Sequence, residues 1–198
     1  GDVTLQEDLE IGEDESLTIG KDASLTVPDG KTLTNNGTIN VESGGKLEGT
    51  TTGNGTLKIA PTITTQPQDV EVKENETATF TVKATGSEPL SYQWQESKNG
   101  SNWTDITGET NATYTTGQTT MDMNGTQYRC VVKNSIDEVT SEAATLTVKH
   151  NLVKVEAKAP TCTEPGNIEY WYCKGCDKYF SDAEGKSEIN LAQTVINA

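Results

Sequence analysis

The residues able to do chemistry lie together toward the C-terminal end. The chain's one histidine and three of its four cysteines follow the spacing His150-x11-Cys162-x10-Cys173-x2-Cys176. A C-x2-C turn aims backbone N–H groups at its two sulfurs, and thiolates with an imidazole are donors that zinc selects. His150, Cys162, Cys173 and Cys176 are therefore the candidate metal ligands. A tetrahedral set of three thiolates and one imidazole is closed, so its zinc would be structural, without a vacancy for Lewis-acid chemistry. The same cysteines also admit a disulfide, Cys162 to Cys173 or to Cys176, with one thiol left over. A segment as small as 150–198 buries too little to hold itself without a staple of one kind or the other. Tyr170, Trp171, Tyr172, Tyr179 and Phe180 would pack round it.

Elsewhere the sequence argues against catalysis. A nucleophile–histidine–acid arrangement would have to use His150, and no G-x-S-x-G, P-loop or G-x-G-x-x-G text occurs. The pair Asp137-Glu138 cannot converge on a glycosidic bond, because neighbours on a strand point to opposite faces. No catalytic and no cofactor-binding residue is expected, and the chain reads as non-enzymatic. Acidic residues outnumber basic ones 30 to 15, and Arg129 is the one arginine. That balance excludes nucleic acid as a partner. No window approaches 18 apolar residues, so no membrane insertion is expected. The start, Gly1-Asp2-Val3, shows no charged-then-apolar leader.

The elements that must position these residues are strands. Apolar and polar residues alternate, as in Thr77-Ala78-Thr79-Phe80-Thr81-Val82, and no stretch sustains a 3.6-residue period. The fold class is all-β. In residues 1–60, Leu9, Leu17, Leu25 and Leu33 recur every eight residues, with Ile11, Ile19 and Val27 two positions on. Each unit is a short strand closed by a Gly, Asn or Pro-Asp-Gly turn, and it cannot bury its own face. Stacking of neighbours predicts a β-solenoid; a plain β-meander is the alternative. The acidic run Glu13-Asp14-Glu15 lacks the spaced oxygens of a calcium loop and reads as a solvated turn. Ala60-Pro61 breaks the repeat. Strands then follow at 70–72, 77–83, 91–95, 103–106, 112–115, 127–133 and 144–148, which fits an immunoglobulin-like sandwich.

Three resemblances follow from these texts. Trp94 in Tyr92-Gln93-Trp94-Gln95, the run Asp122 to Cys130 with Tyr128 two before the cysteine, and Trp103-Thr104-Asp105-Ile106-Thr107-Gly108 resemble bacterial immunoglobulin-like modules. In that alignment Val82 stands where the family has its first cysteine, which leaves Cys130 without a partner in its own domain. A buried, inert thiol is implied. Trp103 is read as a packing residue, with sugar stacking as the other use. The first sixty residues resemble β-helical repeats of bacterial surface proteins. The texts His150-Asn151-Leu152, Ala159 to Asn167, Tyr170-Trp171-Tyr172-Cys173 and Thr194 to Ala198 resemble a small module of Gram-positive, mainly clostridial, surface proteins. There a zinc-knuckle-like Cys-x-x-Cys-Gly is usual, whereas Asp177 replaces the glycine here. The resemblance implies three domains, 1–60, 61–149 and 150–198, in an extracellular cell-surface protein. It also implies a structural or stalk role, with adhesion to a glycan or a host or cell-wall protein, or service as accessory region of a secreted glycoside hydrolase, as alternatives.

Overall fold

Short Thr-rich strands separated by turns dominate the computed structural model, which describes residues 1–197. Ala198, the last residue of the C-terminal text quoted above, lies outside the described residues. The first strands are β1 (Asp2–Thr4), β2 (Leu9–Ile11), β3 (Ser16–Ile19), β4 (Ser24–Thr26), β5 (Leu33–Asn35), β6 (Thr38–Val41), β7 (Lys46–Glu48), β8 (Thr51–Thr52) and β9 (Thr56–Ile59). They form three parallel sheets, β1-β4-β7, β2-β5-β8 and β3-β6-β9. Parallel neighbours rule out a meander, whose adjacent strands run antiparallel.

The stacking unit differs from the eight-residue unit expected from the sequence. Leu9 lies over Leu33 and Leu33 over Thr51, steps of 24 and 18 residues. Val3, Leu25 and Leu47 form a second column with steps of 22. Ile19, Val41 and Ile59 form a third. Passages of four to eight residues carry the chain from one sheet to the next, and three of them return it to the first. Leu25, Leu33, Ile39 and Val41 are buried in the middle layer, whereas Val3, Leu57 and Ile59 in the outer layers are exposed. At the crowded corner Gly37, a Cβ would stand 2.1 Å from the carbonyl oxygen of Gly12 and 2.3 Å from that of Glu15. Glu15, from the acidic run, turns its carboxylate onto the Gly12 N–H at 2.8 Å.

The middle strands are β10 (Thr62–Thr65), β11 (Val70–Lys73), β12 (Thr79–Thr81), β13 (Lys83–Thr85), β14 (Ser91–Ser97), β15 (Thr104–Asp105), β16 (Thr113–Thr115), β17 (Gln127–Lys133), β18 (Glu138–Thr140) and β19 (Ala144–Lys149). One layer has the order β11-β19-β17-β14-β15, with β18 added on β17. The pairs β10-β13 and β12-β16 make the facing layer. Phe80 and Tyr114 from that layer pack against Trp94, Tyr128, Cys130, Val132, Leu146 and Val148 of the first. This is an immunoglobulin-like β-sandwich, and its core is the alternating apolar set seen in the sequence. Trp94 is fully buried, pairs with Cys130 across β14 and β17, and donates its indole N–H to Asn111 O at 2.8 Å. The strand expected over 77–83 is divided at Val82: its N–H still bonds Ala112 O, in register with β12–β16, but from Lys83 onward the chain pairs with β10 instead. The side chain still points inward beside Cys130, as the apolar partner expected there. Strands β10 and β18 lie outside the seven strands that the sequence predicts.

The last strands are β20 (Leu152–Val155), β21 (Gly166–Asn167), β22 (Tyr170–Cys173), β23 (Lys178–Phe180), β24 (Glu188–Ile189) and β25 (Val195–Ile196), with one helical turn α1 (Leu191–Thr194) between β24 and β25. An antiparallel sheet has the order β20-β22-β23-β24, and β21 pairs with β25. Asn190 caps α1 in a reciprocal box with Gln193.

The two junctions are tied by specific bonds. Between the parallel sheets and the sandwich, Ala60 and Pro61 are buried. Asn134 donates to Ile59 O at 2.8 Å and to Ser87 O at 3.0 Å, so one amide clasps both sides. Asp137 accepts from Ser43 N at 3.4 Å, while its neighbour Glu138 faces Lys133 at 3.7 Å. The second junction is the site described next.

Candidate metal centre

Parallel pairing builds the centre. Strand β11 runs beside β19 with Lys73 opposite Lys149, so the next residues, Glu74 and His150, come out side by side. The Glu74 N–H bonds Lys149 O at 2.8 Å, continuing the ladder by one step. The chain then turns at Asn75, which takes φ +70°. Thr119, fully buried, ties that turn by donating its hydroxyl to Lys73 O and Glu76 O at 3.0 and 2.9 Å. Glu74 is thereby fixed with its carboxylate facing the last segment.

The sheet of the last segment delivers the sulfurs. Leu152, just past His150, pairs with Cys173 across β20 and β22. The turn Cys173-Lys174-Gly175-Cys176 then folds back into β23. Asp177 closes it at φ +56°, the left-handed conformation that a glycine would take without strain. Tyr172 compensates by donating its hydroxyl to Asp177 Oδ1 at 2.8 Å. Gly175 packs directly on Glu74; a Cβ there would meet its carboxylate at 3.2 Å.

The result is a group of four donors, Glu74, His150, Cys173 and Cys176, whose ligand atoms all lie within 4.8 Å of one another. Glu74 Oε2 is 3.2 Å from His150 Nδ1 and 2.7 Å from Cys173 Sγ, and Cys176 Sγ is 3.3 Å from His150 Nδ1. The side chains of His150 and Glu74 are 14% and 4% exposed. Phe180 covers the imidazole with ring centroids 4.6 Å apart. Burial, followed by the bond to Cys173 and the charges of Cys173 and Glu74, pushes the Cys176 thiol up to about 12. Without a cation the cluster therefore keeps its sulfur protonated; a divalent ion would reverse that balance.

The structure brings together three of the four expected ligands. His150, Cys173 and Cys176 converge, but Cys162 does not: it is exposed, in the connection between β20 and β21, outside the group. Glu74 takes the fourth corner, because the β11–β19 register reaches the cluster from the other side. All four cysteines are free thiols in the structure, so neither disulfide alternative is formed. Cys130 is buried in the sandwich core, and burial pushes its thiol up to about 11. A thiol reagent at pH 8 should modify Cys162 at once and Cys130 only after denaturant is added, as read by mass spectrometry of peptides. Labelling of native Cys130 at a rate near that of Cys162 would contradict this packing.

Two other surfaces bear on function. Trp103 is half-buried with the Arg129 guanidinium 4.2 Å from its ring centre, and Arg129 is held by a 2.7 Å bond to Gln95 Oε1. The cation covers one face of the ring. A groove of 730 Å³ runs past His150 between Lys73, Lys149, Lys154, Lys186 and Trp171. Glu184 is the single carboxylate among its lining residues, so it offers no carboxylate pair.

The sandwich and its buried Trp–Tyr–Cys set define an immunoglobulin-like module, and sequence comparison places relatives around it. Residues 60–150 match the family model of a domain of unknown function, DUF8696. Endoglucanase C of Cellulomonas fimi is 36% identical over 105 residues, which is 53% of this chain and 9% of that protein. The chain thus matches only a small part of that relative's length. The IG1+IG2 pair of DIP-gamma aligns with TM-score 0.40 and 23% identity, covering 50% of this chain and 53% of that one. A chimeric titin Z1Z2 fragment aligns with TM-score 0.37 and 27% identity, covering 46% and 96%.

Proposed function

We propose that the chain is a non-enzymatic structural segment of an extracellular bacterial protein, a stalk that sets the spacing and direction of what it carries. The reading takes three modules in series: residues 1–60 as a β-solenoid, 61–149 as the immunoglobulin-like sandwich, and 150–198 as a small module that supplies His150, Cys173 and Cys176 to a zinc ion. The observation that carries it is the first junction. There Asn134 of the sandwich holds the carbonyl of Ile59 at 2.8 Å, which converts a Pro-marked linker into a fixed joint. Modules tied this way transmit orientation, whereas modules on free linkers do not. Small-angle scattering tests this. The intact chain should fit one elongated shape, and Asn134→Ala should broaden the distribution of end-to-end distances. An intact chain that already scatters as a flexible ensemble would refute the reading.

Similarity to a segment of an endoglucanase favours a second reading, an accessory region of a larger secreted glycoside hydrolase. The stalk role is then the same and the catalyst lies elsewhere in the parent chain. A glycan partner is expected under this reading. Co-sedimentation with cellulose separates the two: a pure stalk stays in the supernatant, and loss of any binding in Trp103→Ala would locate the contact. A host or cell-wall protein partner belongs to the adhesin form of the first reading.

A further inference from the structure

We infer that the metal is a clamp between modules rather than a staple inside one, with Glu74 of the immunoglobulin-like sandwich as its fourth ligand. This rests on the zinc reading above and adds which atoms complete the site and what its occupancy controls. Four observations converge on it. The donor set is two thiols, one imidazole nitrogen and one carboxylate oxygen, all types that zinc accepts. A zinc with bonds of about 2.0–2.3 Å holds tetrahedral donors about 3.3–3.8 Å apart. The His150–Cys176 separation of 3.3 Å lies at the short end of that range and the Glu74–His150 separation of 3.2 Å just below it, while Cys173 Sγ and Glu74 Oε2 are crowded to 2.7 Å, closer than a bound metal would hold them.

Burial gives the second argument. Glu74 is 4% exposed, faces no lysine or arginine within ion-pairing distance among the described residues, and has a thiol and an imidazole as its partners. A carboxylate so placed is costly unless a cation joins it. Two thiolates and one carboxylate sum to three negative charges, which a divalent ion largely offsets. Support is the third argument. Thr119 fixes the Glu74 turn, and Gly185 packs so closely on the His150 ring that a Cβ would stand 2.9 Å from it. Both ligands are therefore held before metal arrives. Position is the fourth. Glu74 directly follows β11, His150 lies in the step between β19 and β20, Cys173 ends β22 and Cys176 lies in the turn after it. The metal would bond one module to the other across their shared boundary. Loaded, the last module is locked to the sandwich; unloaded, it hangs on the chain at His150 and the remaining surface contacts.

The experiment uses the full chain, expressed with zinc and purified without chelator. Zinc content is measured first, then affinity by competition with a chromogenic chelator. Near one equivalent per chain, lost in Cys173→Ser and Cys176→Ser, is the expected result. Less than a tenth of an equivalent would overturn the zinc reading itself, and the clamp with it. Given near one equivalent, Glu74→Gln should weaken zinc binding at least tenfold, while Cys162→Ser leaves it unchanged. The Trp94 environment, read by fluorescence and circular dichroism, should stay native in Glu74→Gln. A loss of less than tenfold in Glu74→Gln, or loss of zinc in Cys162→Ser, would overturn the clamp and leave a metal inside the last module. Cobalt substitution gives an independent reading: the visible spectrum of a four-coordinate thiolate site should change in Glu74→Gln. A spectrum identical to that of the unaltered chain would place Glu74 outside the coordination sphere and overturn the clamp.

Discussion

Trp94→Ala should lower the stability of the sandwich by about 3–5 kcal/mol, the cost of deleting a large aromatic from a packed core. The indole is fully buried, with Tyr114 and Phe80 at ring-centre distances of 5.9 and 6.4 Å. Its removal leaves a void between the two layers and strips the Asn111 carbonyl of its 2.8 Å donor. Both effects act in the same direction, and neither layer can collapse far because β14 is paired along seven residues with β17. For a unit of this size the melting temperature should fall by roughly 15–30 °C. Trp94→Phe fills part of the void and should cost less. A shift below about 5 °C for the alanine variant would mean that the indole is not the keystone of this core.

Gly37→Ala is the second substitution with a large expected effect, and its cause is steric. Two backbone oxygens, of Gly12 and Glu15, lie where the methyl would go, at 2.1 and 2.3 Å. Neither is the end of a flexible side chain. The corner must open, and with it the Thr38 N–H bond to Glu15 O at 3.0 Å, which begins the β3–β6 register. A cost of about 3 kcal/mol is expected, at the upper end of overpacking effects. Hydrogen exchange would localise it to the amides of β3, β6 and β9. As a control, Gly30→Ala has no neighbour within 4 Å, although its φ of +83° still exacts a strain. Equal protection in Gly37→Ala and the unaltered chain would contradict the described corner.

How much of this could be read from the sequence depended on the range of the interactions. The sandwich was legible because alternation is local: Thr79-Phe80-Thr81 and Gln127 to Lys133 declare their inward faces themselves. The division at Val82 was not, since it marks where the pairing partner changes from β16 to β10. In residues 1–60 the eight-residue recurrence was real, yet it measures one side of a three-sided path, and only the pairing register shows which leucine lies over which. The centre shows the same division. His150, Cys173 and Cys176 announce themselves by type. Glu74 is one of 30 acidic residues and joins them only because β11 runs parallel to β19. Pairing the strand over 70–72 in parallel with the one over 144–148, as the fold permits, would have put residue 74 beside His150. Cys162 has the right type, but its nearness in the chain does not bring it to the cluster.

That same parallel pair sets how the sandwich would answer a pulling force. The chain enters the sandwich ahead of β11 and leaves after β19, and the two run in one direction from Val70–Leu146 to Lys73–Lys149. Tension applied at the two ends drags these strands past each other along their length. Their cross-strand bonds are then strained together rather than peeled one at a time, so the joint between them yields late under traction.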